Sequence, residues 1–296
     1  MSSVIELQNV TKMYGQVVGV KDVSLTIESG KVHGFLGPNG AGKTTTISML
    51  VDLIRPTNGN IKIFGQDSVK DSLEIRRNIG FLAGDFALDN SLNGWQQLEY
   101  FGNLRGGFDK HYVQELAERL SCNLGRKFKT LSRGNQQKVG LISALMHKPE
   151  LLIFDEPTSG LDPLVQSEFN KIVAEHKKAG KTAFISSHVL SEVQEICDQV
   201  TFISHGSIVA TQSISSLTAE SPKLLKLSAD KTTLAAVEKL AGVTVTTHHT
   251  SHLEATFQGD VNQLISLIAK HKVKDLSLSD TDLETTFMKY YEDKHV

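Results

Sequence analysis

Apolar residues in this chain gather in short runs, each closed by glycine or a polar stretch. "KVHGFLG" (31–37) is one such run, and "GKTTTISMLVDLI" after it carries apolar residues at helical spacing. "GNIKIFG" and "IGFLAG" read as strands bounded by glycine, after a strand-rich start over residues 4–36. Later come the strand-like "LLIFD", a helical pattern over 163–179, "KTAFISS", a short helix from 189, and "QVTFIS". Strands alternating with helices predict a mainly parallel α/β core. Residues 92–146 are helical in pattern, with Trp95, Leu98, Tyr100 and Phe101 at apolar positions, and read as an inserted helical subdomain.

Beyond "HGSIVATQS" the character changes. "LLKLS" reads as a strand, "KTTLAAVEKLA" as a helix, "VTVTTHHTSHLEATF" as a hairpin and "VNQLISLIAKH" as an amphipathic helix. "KDLSLS" then reads as a strand and "TDLETTFMKYYE" as a last helix. The β-α-β-β-α-β order predicts a ferredoxin-like α+β domain. A boundary near residue 217 divides the chain into 1–217 and 218–296.

Composition narrows the class. The 296 residues suit two domains, and 40% apolar content supplies ordinary packed cores. A net charge of −2 gives no basic field for nucleic acid. No apolar run approaches the roughly 20 residues that cross a bilayer. "MSSVIELQNV" has neither a basic nor an apolar leader segment, so no secretion signal is expected. Cys122 and Cys197 are expected as reduced thiols in the cytosol.

"GPNGAGKTT" fits G-x-x-x-x-G-K-[ST], with Gly37, Pro38, Asn39, Gly40, Ala41, Gly42, Lys43, Thr44 and Thr45 in order. Its glycines let backbone N–H groups curl around phosphate oxygens, and the following helix adds its N-terminal dipole. Lys43 would reach the β- and γ-phosphates of a nucleotide, and the Thr44 hydroxyl would ligate Mg²⁺. A glycine-rich turn could match by chance, but the motif also demands a strand before it and a helix after it, and both are predicted. "LLIFDEPTSGLD" supplies a buried strand ending in Asp155, placed to hold Mg²⁺ through water, and Glu156, a general base for the attacking water. His188, after the apolar "FISS", would stand on the same sheet edge, where ligands bind, and contact the γ-phosphate. A hydrogen-bonded surface histidine is the competing reading.

"KTLSRGNQQKVGLISAL" (129–145) raises a question, because a serine and a glycine open a second helix of the kind that binds anions. With "GPNGAGKTT", "LSRGN", "LLIFDEP", "SGLD" and His188 in this order, residues 4–210 resemble the ATPase subunit of an ABC transporter. The resemblance implies a P-loop NTPase (ABC ATPase) core with a helical subdomain and an N-terminal β-subdomain. It implies that Tyr14 stacks on adenine, although a core tyrosine would look the same in sequence. It further implies head-to-tail pairs in which Ser132 and Gly134 bind the γ-phosphate of ATP seated on the opposite subunit, with Asp162 in the loop that crosses between them. A homodimer is the simplest assembly, with ATP and Mg²⁺ as ligands and a separate integral membrane permease as partner. The chain would then work in the cytoplasm, peripheral on the inner face of the cell membrane. The ending "DTDLETTFMKYYED" resembles a motif of drug-efflux ATPases, so export is the expected direction. A soluble ABC ATPase of translation or repair, and a ligand-sensing regulatory ATPase, are the rival classes.

The chain departs from the family pattern twice. "LSRGN" stands for the usual LSGGQ, with Arg133 for glycine and Asn135 for glutamine. Gly84, beside Asp85, occupies the position of a metal-ligating glutamine. His248, His249 and His252 lack carboxylates or cysteines in ligand spacing, and a hairpin tip is the simpler reading.

Overall fold

A computed structural model describes residues 2–220 and 222–280. The chain divides between Gln212 and Ser213 into two units. In the first, strands β1 (Ser3–Tyr14) and β2 (Val17–Glu28) pair antiparallel, burying Ile5, Leu7, Val10, Val20 and Val23. Strand β3 (Val32–Leu36) is buried at all its positions, as a strand covered on both faces requires. It runs into the glycine loop and helix α1 (Lys43–Leu50). The apolar spacing continues to Ile54, but α1 ends earlier because Asp52 takes a left-handed φ of 52° that no helix continues through. Strands β4 (Asn58–Ile63) and β5 (Gln66–Asp67) join the hairpin in a four-stranded sheet ordered β2-β1-β4-β5.

The remaining elements of this unit are α2 (Ser72–Arg77), β6 (Ile79–Leu82), α3 (Gly94–Leu104), α4 (Lys110–Arg119) and α5 (Arg133–Leu145). They are followed by β7 (Leu151–Asp155), α6 (Pro163–Lys178), β8 (Thr182–Ser187), α7 (Leu190–Ile196), β9 (Gln199–Ser204) and β10 (Ser207–Ser213). The main sheet has six strands in the order β10-β9-β3-β8-β7-β6. Every neighbouring pair from β9 to β6 is parallel. Their C-terminal ends therefore share one edge. Register pairs Leu36 with Ser187 and Asp155 with Ser186, so the segments that leave β3, β7 and β8 emerge side by side.

Helices α3, α4 and α5 form the helical insertion, with α3 and α4 both packed on α5. Leu98 is buried as its spacing predicts, whereas Tyr100 is exposed. Arg119 ties α4 to α6, its Nε 2.7 Å from Glu168 Oε1 and its two Nη atoms 2.7 and 2.8 Å from the Glu175 carboxylate.

The second unit opens with α8 (Ile214–Glu220), so the break falls a few residues ahead of the expected position. Then come β11 (Lys223–Ala229), α9 (Lys231–Glu238), β12 (Val243–His248), β13 (His252–Phe257), α10 (Val261–Ile268) and β14 (Val273–Asp280). Their sheet is ordered β12-β13-β11-β14 with all neighbours antiparallel. Leu225, Leu227, Leu253 and Phe257 on its inner face meet Leu234, Val237 and Leu264 from the two helices. The element order is the one that suggested a ferredoxin-like domain. The last predicted helix, and nearly all of "DTDLETTFMKYYED", lie outside the described residues.

Candidate active site

The loop after β3 is shaped by glycines that no other residue could replace without movement. Gly42 has φ 106°, and a Cβ on it would stand 2.7 Å from Val20 Cγ1 and 2.9 Å from the Gly19 carbonyl oxygen. A Cβ on Gly37 would lie 2.4 Å from the Ile203 carbonyl oxygen. Pro38, Asn39 and Gly40 are exposed at the crest, while Ala41 is buried and accepts a bond from Gly206 N–H at 2.9 Å. α1 starts at Lys43, so its first unpaired N–H groups face the concavity of the loop. The Lys43 ammonium is buried and folds back across the loop, donating to the carbonyls of Gly37 at 2.7 Å and Pro38 at 3.2 Å.

The acids stand beside it. Asp155, 2% exposed at the end of β7, accepts the Thr44 hydroxyl at 2.7 Å. Glu156 follows with a left-handed φ of 48°, which turns its side chain back toward the loop. Its Oε1 lies 3.3 Å from Lys43 Nζ and 3.3 Å from His188 Nδ1. Lys43, Thr44, Asp155, Glu156 and His188, identified separately in the sequence, thus meet at one sheet edge.

Two residues in this network were not anticipated. Ser186 donates to Asp155 Oδ1 and accepts the Glu156 N–H at 3.0 Å, which fixes both acids to β8. Gln137, buried on α5, donates to the Pro157 carbonyl at 3.0 Å and couples α5 to the turn after β7. Ser186, closing the apolar "FIS", gave a signal as a polar residue ending a buried run, whereas Gln137, inside the polar "GNQQK", gave none.

The residues fit a nucleotide with a divalent cation. Thr44 and Asp155 bring a hydroxyl and a carboxylate oxygen together, the hard donors that Mg²⁺ takes. A Cβ on Gly84 would stand 3.3 Å from Asp155 Oδ2, so this position does border the acid, yet it contributes no side chain. Tyr14 is 48% exposed and is no core residue. Its ring covers Gly19, where a Cβ would meet Tyr14 Cε2 at 2.8 Å and Thr45 Cγ2 at 3.2 Å. An exposed aromatic ring, with Lys12 Nζ 5.4 Å from its centroid, therefore stands next to the start of α1.

Ser132, Gly134 and Asp162 form a second cluster. Ser132 caps α5, its Oγ accepting the Asn135 backbone N–H at 3.4 Å and also the Asn135 Nδ2 at 3.0 Å. Asp162 caps α6 through Val165 N–H at 3.1 Å and lies 3.8 Å from Lys138 Nζ. Gly134 rests against the Gly160 backbone. Among the described residues, the hydrogen bonds of this cluster run to α5, α6 and their turns, and none reaches the phosphate loop of the same chain. In the second unit, the rings of His249 and His252 are 4.5 Å apart, and His248 pairs with Glu238 at 3.1 Å.

A family model described as ABC transporter matches residues 20–159. The bacitracin transport ATP-binding protein BcrA of Enterococcus faecalis is 37% identical over 220 residues, covering 73% of this chain and 71% of its own. The linearmycin resistance ATP-binding protein LnrL of Bacillus subtilis is 32% identical over 301 residues, covering 96% of this chain and 97% of its own. A solved structure of the ATP-binding subunit of an ABC transporter superposes with a TM-score of 0.66 at 25% identity, covering 72% of this chain and 91% of that one. The chain belongs to the ABC transporter family, as an ATP-binding subunit that hydrolyses ATP.

Proposed function

We propose that two copies of this chain close head to tail around two ATP molecules and drive export through a separate integral membrane subunit. The observation that carries the reading is Glu156 poised between Lys43 and His188 at the mouth of the phosphate loop. The chain would work on the cytoplasmic face of the membrane, and no helix among the described residues is long and apolar enough to cross it.

In this reading Lys43 leaves the Gly37 and Pro38 carbonyls for the β- and γ-phosphates and releases Glu156 as it does so. Thr44 and Asp155 would hold Mg²⁺, which would supply positive charge against the phosphate oxygens. Glu156 takes a proton from the water whose oxygen attacks the γ-phosphorus, and the β–γ bridging oxygen leaves with ADP. His188 orients that water and contacts the γ-phosphate, while Ser186 holds Asp155 and Glu156 in place. Tyr14 stacks on the adenine.

Ser132 and Gly134 open a helix toward the outside of their own subunit, so the phosphate they bind belongs to the partner's ATP. Asp162 sits in the turn that crosses the same interface. Export is favoured because the relative whose match spans nearly the whole chain is named for resistance to an antibiotic.

The test is the mass in solution of a Glu156→Gln variant, by light scattering, with and without Mg²⁺ and ATP. The expected result is a monomer that doubles in mass with ATP, and a monomer under both conditions once Ser132→Arg is added. An ATP-driven dimer that survives Ser132→Arg would sink the shared-nucleotide arrangement.

A further inference from the structure

His188 follows β8, and the residue before it is tied in three directions. The Ser187 carbonyl accepts the Gly37 N–H, at the start of the phosphate loop, at 3.3 Å. The Ser187 hydroxyl oxygen accepts the Val189 N–H at 3.0 Å, which closes a small turn across the His188 peptide. The hydroxyl proton goes to Glu192 Oε2 at 2.7 Å, a bond strengthened by the charge on its acceptor. The imidazole itself is half exposed, with Nδ1 3.3 Å from Glu156 Oε1. Its direction therefore follows from the backbone on either side of it.

Glu192 stands in the first turn of α7, a helix of seven residues that is too short to keep its place unaided. On the core side α7 is set by Val193, whose Cγ1 stands 2.3 Å from where a Cβ on Gly34 of β3 would lie. Toward α6 it is set by Glu192. The Glu192 Oε1 accepts Gln166 Nε2 at 3.2 Å, and Gln166 donates its backbone N–H to the Asp162 carbonyl at 2.9 Å in the first turn of α6. One carboxylate oxygen is thus engaged toward His188 and the other toward the helix that Asp162 caps. Apolar packing does not close this seam by itself. Asn170, 8% exposed, also lines it, with an Nδ2 that has no hydrogen-bond partner among the described residues.

We propose that Glu192 is a positioning residue for hydrolysis: through Ser187 it sets the backbone that carries His188, and through Gln166 it ties that backbone to α6. The inference rests on the role given to His188 above. A carboxylate in the first turn of a helix also stabilises that helix by its charge alone. The two roles part on substitution. Glu192→Gln loses the charge but keeps a carbonyl oxygen for the Ser187 hydroxyl, and its amide can still bond Gln166 once that side chain presents its own oxygen.

The test is steady-state ATP hydrolysis by the full chain, in the native and the His188→Ala backgrounds. Glu192→Ala is expected to lower kcat at least about tenfold with KM for ATP within about twofold, the mark of lost alignment and not of lost binding. Glu192→Gln is expected to stay within about threefold of the native kcat. In the His188→Ala background Glu192→Ala should cost less than about twofold more, since the group it aligns is gone. Gln166→Ala removes only the tie to α6, from a side chain outside the core, and keeps the test open where Glu192→Ala fails to fold. It should lower kcat about threefold, and again not without His188. Equal losses in both backgrounds, a native kcat in Glu192→Ala, or a Glu192→Gln variant as slow as Glu192→Ala overturns the proposal. A His188→Ala variant with native kcat removes the reading of His188, and the proposal with it.

Discussion

A Cβ on Gly134 would stand 2.3 Å from the carbonyl oxygen of Gly160. The first turn of α5 and the turn before α6 therefore touch backbone to backbone, and the spacing of Ser132 relative to Asp162 is set by the absence of a methyl group. Gly134→Ala has to part the two turns by most of an ångström. Misplacement on that scale costs about a hundredfold in rate, so ATP hydrolysis is expected to fall by that order. Melting should drop by only a few degrees, consistent with an overpacking cost of about 1–3 kcal/mol. Arg133→Gly removes an exposed side chain at the neighbouring position and should leave the melting curve in place. A Gly134→Ala variant with full activity would show that the contact does not position the helix end.

His188 is separated from Glu156 by 3.3 Å and is otherwise open to solvent at the end of β8. Its removal deletes the contact with Glu156, the proposed base, without disturbing the core. His188→Ala should lower kcat about a hundredfold and change KM little, as expected for a group that acts in proton transfer or water positioning. Steady-state kinetics separate the two parameters. A rise in KM at constant kcat would assign His188 to ground-state binding instead.

Tyr14 offers an exposed ring beside α1, and stacking of a base on such a ring contributes about 1–3 kcal/mol. Tyr14→Ala should therefore weaken ATP binding by about five- to a hundredfold, and Tyr14→Phe should bind nearly as well as the native chain. Calorimetric titration of the Glu156→Gln background gives both numbers without turnover. Equal losses for Phe and Ala would mean that the hydroxyl, and not the ring, makes the contact.

Burial holds His33 down to about 4, against a raising hydrogen bond from Gln199. The ring lies inside β3, fully buried, with Nε2 2.8 Å from Thr201 Oγ1. The native state keeps His33 neutral while the unfolded chain takes up a proton below pH about 6.5, so the unfolded state binds more protons between these values. Stability is therefore expected to fall as pH drops from about 6.5 toward 4, by about 3 kcal/mol in all from this residue. Urea unfolding at pH 7 and pH 5 measures the slope, and His33→Gln should reduce it without flattening it, because burial also holds His147 and His176 down to about 4. An unchanged slope would place the proton-linked step elsewhere.

The meeting of Lys43, Thr44, Asp155, Glu156 and His188 at the sheet edge was legible because it sits where local pattern and tertiary position coincide. β3, β7 and β8 are apolar runs buried on both faces, and the residues that follow them can only emerge at one edge. Two kinds of feature were out of reach. Ser186 acts through partners 31 and 30 residues away in sequence and Gln137 through one 20 away, pairings that only the approach of β8 to β7 and of α5 to the Pro157 turn creates. Tyr100 had the spacing of an inward residue, but α3 buries Gln97 on that turn because its amide reaches the Asp89 carbonyl, and the tyrosine faces out. The end of α1 was missed for a third reason, since a left-handed aspartate leaves no mark on hydrophobic periodicity.

The left-handed backbone at Glu156 sets the stability of the fold against its chemistry. A residue with a Cβ held at φ 48° stores of order 1 kcal/mol that glycine would not. Selection for heat resistance alone would drive this position toward glycine and erase the proposed base in the same step. Thermostable variants obtained without an activity screen should therefore accumulate substitutions here, and their recovery would mark the one place in the sheet edge where robustness and turnover cannot be improved together.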